Sequence, residues 1–140
     1  MTQVDNKLTG ISVIMPVYNG AAFIPLSLPP LIAMARRGEI LEVIVIDDGS
    51  TDDSKQIAQK IGAKVLSSGG RIGPGGARNQ AAEIARGAIL WFVDADVVVH
   101  DDAALNLHSG FNDLQIVAVF GSYDTNPPAR NFFSQYKNLV

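Results

Sequence analysis

The residues best suited to chemistry in this 140-residue chain are carboxylates that follow apolar runs. Asp94-Ala95-Asp96 comes directly after Ile89-Leu90-Trp91-Phe92-Val93, and Asp47-Asp48 after Val43-Ile44-Val45-Ile46. A buried parallel strand reads as a continuous apolar run. In open α/β sheets, ligands bind outside the carboxyl ends of such strands. Two sets of acids at one rim suit a hard divalent cation or a polyhydroxylated ligand. Mg2+ and Mn2+ take oxygen ligands. A Mg2+ ion typically uses one or two protein carboxylates and completes its shell with water and substrate phosphate. Asp94 and Asp96 are therefore candidate metal ligands. The same spacing also occurs in ordinary loops and helix caps, so the pair alone does not decide.

Three further segments carry polar chemistry. In Asp47-Asp48-Gly49-Ser50-Thr51-Asp52, Gly49 permits a tight turn. A carboxylate there can accept from a base N–H or from ribose hydroxyls, or it can simply cap the turn. Gly73-Pro74-Gly75-Gly76-Ala77-Arg78-Asn79 is a glycine loop running into a helix. Exposed N–H groups at a helix start favour anions. Arg78 in the first turn opposes the helix dipole, which points to a partner: a phosphate or a strand-end aspartate. Arg71 is a second phosphate candidate. Pro16-Val17-Tyr18-Asn19 ends another apolar run and offers backbone groups and a ring to a planar ligand. His100 and His108 have no partner pattern. The chain lacks H-E-x-x-H, G-x-S-x-G, G-x-G-x-x-G and Walker A patterns.

These residues need a scaffold, and the order of elements supplies one. The apolar runs predict strands over Ile11–Val17 (ended by Pro16), Leu41–Asp47, Ala63–Leu66, Ala88–Val93 and Ile116–Gly121. Helices are expected over Ala21–Arg37, kinked or broken by Pro25, Pro29 and Pro30, and from Ser50 to Ile61. Ser50 is the expected N-cap there, Asp53 the capping-box acid and Gly62 the stop. Further helices are expected from Gly75 or Gly76 to Arg86 (stopped by Gly87), over Asp101–Phe111 and over Ala129–Val140. This alternation predicts an α/β domain with a three-layer α/β/α arrangement and a mostly parallel sheet.

The bulk numbers narrow the class. The length fits one domain, residues 1–140. With 47% hydrophobic and 18% charged residues the chain is globular in composition. A net charge of -3 with no basic run gives no support to nucleic-acid binding. There are no cysteines, which excludes disulfides and thiolate metal sites. No segment reads as a signal peptide or as an apolar stretch long enough to span a bilayer.

Taken in order, Pro16-Val17-Tyr18-Asn19, Val45-Ile46-Asp47-Asp48-Gly49-Ser50-Thr51-Asp52, Gly76-Ala77-Arg78-Asn79 and Val93-Asp94-Ala95-Asp96 resemble the motifs of family 2 glycosyltransferases with the GT-A fold. The resemblance spans roughly residues 11 to 123. It implies a nucleotide-diphospho-sugar donor, commonly a UDP-sugar, and a divalent metal, Mn2+ or Mg2+. It implies that Pro16, Val17, Tyr18 and Asn19 line the base pocket, with Asp47 and Asp48 at its base-recognition end and Asp48 bonding the base. Arg78 would lie near the phosphates, Asp94 on the ribose or sugar side, and Asp96 on the metal. Such enzymes mostly invert the anomeric centre by direct displacement, with a carboxylate base activating a saccharide, lipid or polysaccharide acceptor. A cytoplasmic location, free or peripheral at the inner face of the membrane, goes with this.

The chain departs from the family pattern after Val97. No later motif marks the general base, and Asp124 is a carboxylate without a motif behind it. The catalytic residue is thus left unassigned. The expectation is a truncated GT-A domain: an N-terminal, donor-binding portion of a longer enzyme that binds nucleotide but transfers sugar poorly. The apolar positions Phe132, Phe133, Tyr136 and Leu139 of the last expected helix suggest a homodimer. The rival readings are a non-catalytic nucleotide-sugar-binding module, a receiver domain using Asp47, Asp48 and Asp94, and a sugar-phosphate nucleotidyltransferase. The last lacks its expected glycine- and arginine-rich loop after the first strand.

Overall fold

The computed structural model describes residues 10–122. The elements in chain order are β1 (Ile11–Val17), α1 (Ile24–Arg36), β2 (Glu42–Asp47), α2 (Ser54–Ile61), β3 (Lys64–Ser67), α3 (Gly73–Ile84), β4 (Ile89–Phe92) and α4 (Ala103–Gly110). The four strands form one parallel sheet in the order β3-β2-β1-β4. The chain divides into two compact units, Met1–Ala104 and Leu105–Val140. The expected helix over Ala129–Val140, the homodimer built on it, and Asp124 lie outside the described residues.

Two faces of the sheet are covered, as strand periodicity requires. Ile14, Ile44 and Ile46 pack against Ala77 and Ala81 of α3. The alternate positions Val13, Met15, Val43 and Val45 are buried too. On that side lie α1 and α2, which pack on each other and on β2 and β3. Right-handed crossovers explain the division. The chain steps from β1 to β2 to β3 in one direction, then reverses to β4, so α3 falls on the opposite face. Ile24, Leu28, Leu31 and Met34 of α1 are fully buried, each contributing about 1.5–3 kcal/mol of transfer free energy.

Several expectations are corrected. α1 is one continuous helix of 13 residues with Pro29 and Pro30 inside it, so the prolines do not break it. The carbonyls these prolines leave unbonded belong to Pro25 and Leu26, both exposed residues, so water can satisfy them. Pro16 does not end β1, which continues to Val17. Carbonyls of Gly10 and Ile14 face β4, and those of Ile11 and Val17 face β2. The missing N–H of Pro16 therefore faces β4 just past the last β1–β4 pair, Ile14 with Phe92, and the β1–β4 ladder ends there while β1 still pairs with β2. β4 is not buried on both faces: Leu90 is 38% and Phe92 48% exposed, as befits an edge strand.

No strand forms over Ile116–Gly121, where Val117 and Phe120 are each 92% exposed. An apolar run alone does not make a strand. Gly87 does not stop a helix, since α3 has already ended at Ile84. Its place is set by close approach: a Cβ there would lie 2.6 Å from Ser12 N and 2.7 Å from Gly10 O. Gly87 N donates to Ser12 Oγ at 2.8 Å, and Ser12 Oγ donates to Glu42 Oε1 at 2.8 Å. Glu42 also accepts from Arg86 N at 2.8 Å and Arg86 Nε at 3.3 Å. This lock ties β1, β2 and the β4 approach at the amino end of the sheet. Burial opposes the Glu42 charge, but the Arg86 and Ser12 donors still hold its pKa below the usual glutamate value.

Candidate functional site

All four motifs sit at the carboxyl ends of the parallel strands or at the start of α3. The register sets Val17 beside Asp47 and brings β4 alongside β1. The β1 and β2 loops are clasped to each other. Asn19 N donates to Ser50 Oγ at 2.9 Å, Gly20 N to Ser54 Oγ at 2.8 Å and Ala21 N to Asp52 Oδ2 at 3.0 Å. In return Thr51 N donates to Asn19 Oδ1 at 2.8 Å. Asn19 takes a left-handed backbone, φ 50°, which asparagine tolerates better than most residues. Asp52 also accepts from Ser54 N at 3.0 Å and from the Ser54 hydroxyl. The Ser54 hydroxyl and the Ala21 and Ser54 N–H groups hold the Asp52 pKa below its ordinary value.

This clasp corrects the capping assignment. α2 begins at Ser54, Asp53 makes no side-chain cap bond, and Ser50 serves the β1 loop instead. Ser50, Asp52 and Ser54 alternate along the chain, and that spacing of short polar residues facing a glycine turn was the available signal. Gly62, in contrast, closes α2 in the expected left-handed conformation, φ 109°.

Asp48 is 3% exposed and acts as a staple for the segment after β3. Its Oδ1 accepts from Ser68 Oγ at 2.8 Å and Ile72 N at 2.9 Å, and its Oδ2 from Gly73 N at 2.9 Å. Burial works against its charge, but these donors and the nearby Arg71 hold its pKa below the usual aspartate value. Gly49 is required beside it. Its φ is 80°, and a Cβ would stand 3.2 Å from Gly70 O. Asp47 is 7% exposed, and its Oδ1 is buried with no partner among the described residues.

The glycine loop and the β4 acids meet through one contact. Arg78 Nη2 donates to Asp94 Oδ1 at 2.6 Å, while Arg78 Nε is buried without a partner among the described residues. α3 starts at Gly73 rather than at Gly75 or Gly76, so Arg78 lies in its second turn, where the helix dipole costs it little, and its partner is a strand-end carboxylate. Tyr18 meets Arg71, whose guanidinium carbon lies 3.2 Å from the ring centroid. The Arg71 stacking had no counterpart in the motif reading, which treated Arg71 only as a phosphate candidate. A stack between residues so far apart in sequence has no local pattern.

The candidate metal donors are two exposed carboxylates, Asp94 and Asp96. Among the described residues no cluster of three or more His, Cys, Asp or Glu gathers for a metal. Asp94 is tied to Arg78, and Asp96 bonds nothing in the described residues. Two hard oxygen donors open to solvent fit a Mg2+-type ion that takes most of its shell from water and phosphate.

The conserved-family description "Glycosyl transferase family 2" matches residues 12–139. The chain belongs to glycosyl transferase family 2. This family 2 chain is 34% identical over 108 residues to a poly(ribitol-phosphate) beta-glucosyltransferase of Bacillus spizizenii, covering 71% of this chain and 17% of that protein. The crystal structure of Staphylococcus aureus TarS 1–349 in complex with UDP-GlcNAc superposes with a TM-score of 0.65 at 32% identity. That match covers 74% of this chain and 31% of the other. A Mycobacterium tuberculosis glucosyl-3-phosphoglycerate synthase complex with Mn2+, UDP-glucose and phosphoglyceric acid gives a TM-score of 0.61 at 31% identity, over 67% of this chain and 36% of the other. Among the first curated relatives, the chain spans between 17% and 38% of their lengths. The parallel sheet flanked by helices is accordingly a GT-A glycosyltransferase fold.

Proposed function

We propose that this chain forms the nucleotide-sugar-binding half of a GT-A glycosyltransferase that uses a UDP-sugar and a divalent metal, Mn2+ or Mg2+, and inverts the anomeric centre. The observation that carries this reading is the Arg78–Asp94 bridge at the carboxyl edge of the sheet. It joins the second turn of α3 to the acid pair after β4. The buried, unpartnered Arg78 Nε beside it is a donor awaiting an acceptor, and a diphosphate oxygen satisfies it. Relatives solved with UDP-GlcNAc and with Mn2+ and UDP-glucose support the donor class.

In this reading Pro16, Val17, Tyr18 and Asn19 form the base wall, and Asp47 and Asp48 lie at its floor. Asp48 acts through its one remaining acceptor site and by fixing the Ile72 and Gly73 backbone. Arg78 holds Asp94 in place toward the ribose and leaves Asp96 free for the ion. The metal, when bound, neutralises charge developing on the leaving diphosphate. The acceptor is a hydroxyl of a saccharide, lipid or polysaccharide. Its activating base is not assigned to any described residue, so a donor-binding fragment without turnover is the companion reading. A cytoplasmic location, free or at the inner membrane face, belongs to the same proposal. Among the described residues no helix is long and apolar enough to cross a membrane.

Calorimetric titration with UDP, GDP and their sugars, with and without Mn2+, tests this. UDP-sugar binding strengthened by Mn2+ is expected, with that increment lost in Asp96→Ala while the fold stays intact. Equal Mn2+-dependent binding by Asp96→Ala refutes the metal assignment. No nucleotide binding at all refutes the donor site.

A further inference from the structure

We propose that the cavity at the amino end of the sheet is a second ligand site, which binds the phosphate group of a small soluble phosphate monoester. The cavity measures about 380 Å³, at the compact end of the about 300–1,000 Å³ found for small-molecule sites. It opens where α1 ends, β2 begins and α2 turns into β3. Glu42 starts β2 and Asp47 ends it, so the length of that strand, about 16 Å, separates this cavity from the acids at the carboxyl edge.

Three cations line the cavity, Arg36, Lys64 and Arg86, against one carboxylate, Glu42. That carboxylate is already engaged: Oε1 accepts from Ser12 Oγ and Arg86 N, and Oε2 from Arg86 Nε. The last bond holds Arg86 at the rim and leaves its Nη groups without an acceptor among the described residues. Arg36 and Lys64 make no ion pair or side-chain hydrogen bond among the described residues. Three cations against one carboxylate leave an excess of two positive charges, which attracts an anion and repels a metal ion. A phosphate monoester carries about −1.5 to −2 at neutral pH. Two guanidinium forks and an ammonium suit its oxygens.

Both faces of the sheet contribute. Lys64 pairs with Ile44, and Glu42, two residues earlier on β2, shares the α3 face with Ile44. Arg36 comes from α1 on the opposite face. Gly62 keeps the space between them open, since a Cβ there would stand 4.0 Å from Arg36 Nη2. The apolar floor, Ile32 and Val43, is 7% and 4% exposed. It offers an acyl chain little surface, which favours a soluble ester over a lipid headgroup.

The test is amide chemical-shift titration of the full chain with sodium phosphate, glycerol phosphate and, at matched ionic strength, sodium chloride. Phosphate and glycerol phosphate should shift the Gly62, Lys64 and Arg86 amides saturably. Arg36→Gln and Lys64→Gln should each weaken that binding by about tenfold or more, and Lys64→Arg should retain it. Arg36 and Lys64 are exposed, so the variants should keep the parent unfolding midpoint. Arg78→Gln should leave these shifts unchanged, and Lys64→Gln should leave UDP affinity unchanged, so failure of the donor site is read separately. Chloride shifts equal to those of phosphate, or glutamine variants that bind like the parent, overturn the site. Binding to vesicles of phosphatidylcholine and phosphatidic acid without binding of glycerol phosphate overturns the soluble-ester assignment.

Discussion

Asp48→Asn isolates the staple on which the base pocket depends. The substitution preserves shape and removes charge. The Asn carbonyl can still accept from Ser68 Oγ and Ile72 N, which lie 2.8 and 2.9 Å from Oδ1. Hydrogen bonds to a charged group are worth about 1.5–3 kcal/mol and neutral ones about 0.5–1.5, so these two together weaken by about 2 kcal/mol. The amide nitrogen then faces Gly73 N, now 2.9 Å from Oδ2, donor against donor. An unsatisfied buried N–H costs about 1–3 kcal/mol. The sum is about 3–5 kcal/mol if the segment stays in place. Gly69, Gly70 and Arg71 are exposed, so the segment can open to water and escape part of this. The expected result is a global loss of about 1–3 kcal/mol in denaturant unfolding, with faster hydrogen exchange at Ile72 and Gly73. About tenfold faster exchange corresponds to about 1.4 kcal/mol of local opening. Parent-like exchange at both amides together with an unchanged midpoint would show that Asp48 does not hold the segment.

Gly87→Ala should destabilise by about 1–3 kcal/mol or more, since its Cβ would meet backbone at 2.6 and 2.7 Å. Gly75→Ala, whose Cβ meets nothing within 4 Å, should leave the unfolding midpoint unchanged or raise it; equal effects of the two would contradict the close-approach argument. Glu42, Asp48 and Asp52 each have a folded-state pKa below the ordinary value. Their stabilisation is therefore complete above the unfolded pKa values of about 4 and is lost as pH falls through the lower folded values. Stability measured by urea titration should be nearly flat from about pH 7 to 5 and should drop below about pH 4; a loss of stability on raising pH from 5 to 7 would reverse the sign of this account.

The sequence determined the layers. Apolar runs of strand length separated by helix-length segments leave few alternatives to a parallel sheet covered on both faces. Gly62 and the acids after β2 and β4 were also legible, because each depends on its immediate neighbours. Elements that depend on distant partners were not. Ile116–Gly121 has strand composition yet forms no strand, and Pro29 and Pro30 sit in an unbroken helix because the freed carbonyls belong to exposed residues. Gly87 reads as a helix stop from its local sequence, yet its constraint comes from the backbone of β1. Likewise, the tertiary structure alone assigned Asp48 to three donors across the sheet rim, Ser50 to the N–H of Asn19, and Arg71 to the ring of Tyr18. A side chain's partner is set by which loops the strand order brings together. That order reverses after β3, and the reversal that leaves β1 between β2 and β4 is what assembles the four motifs at one edge.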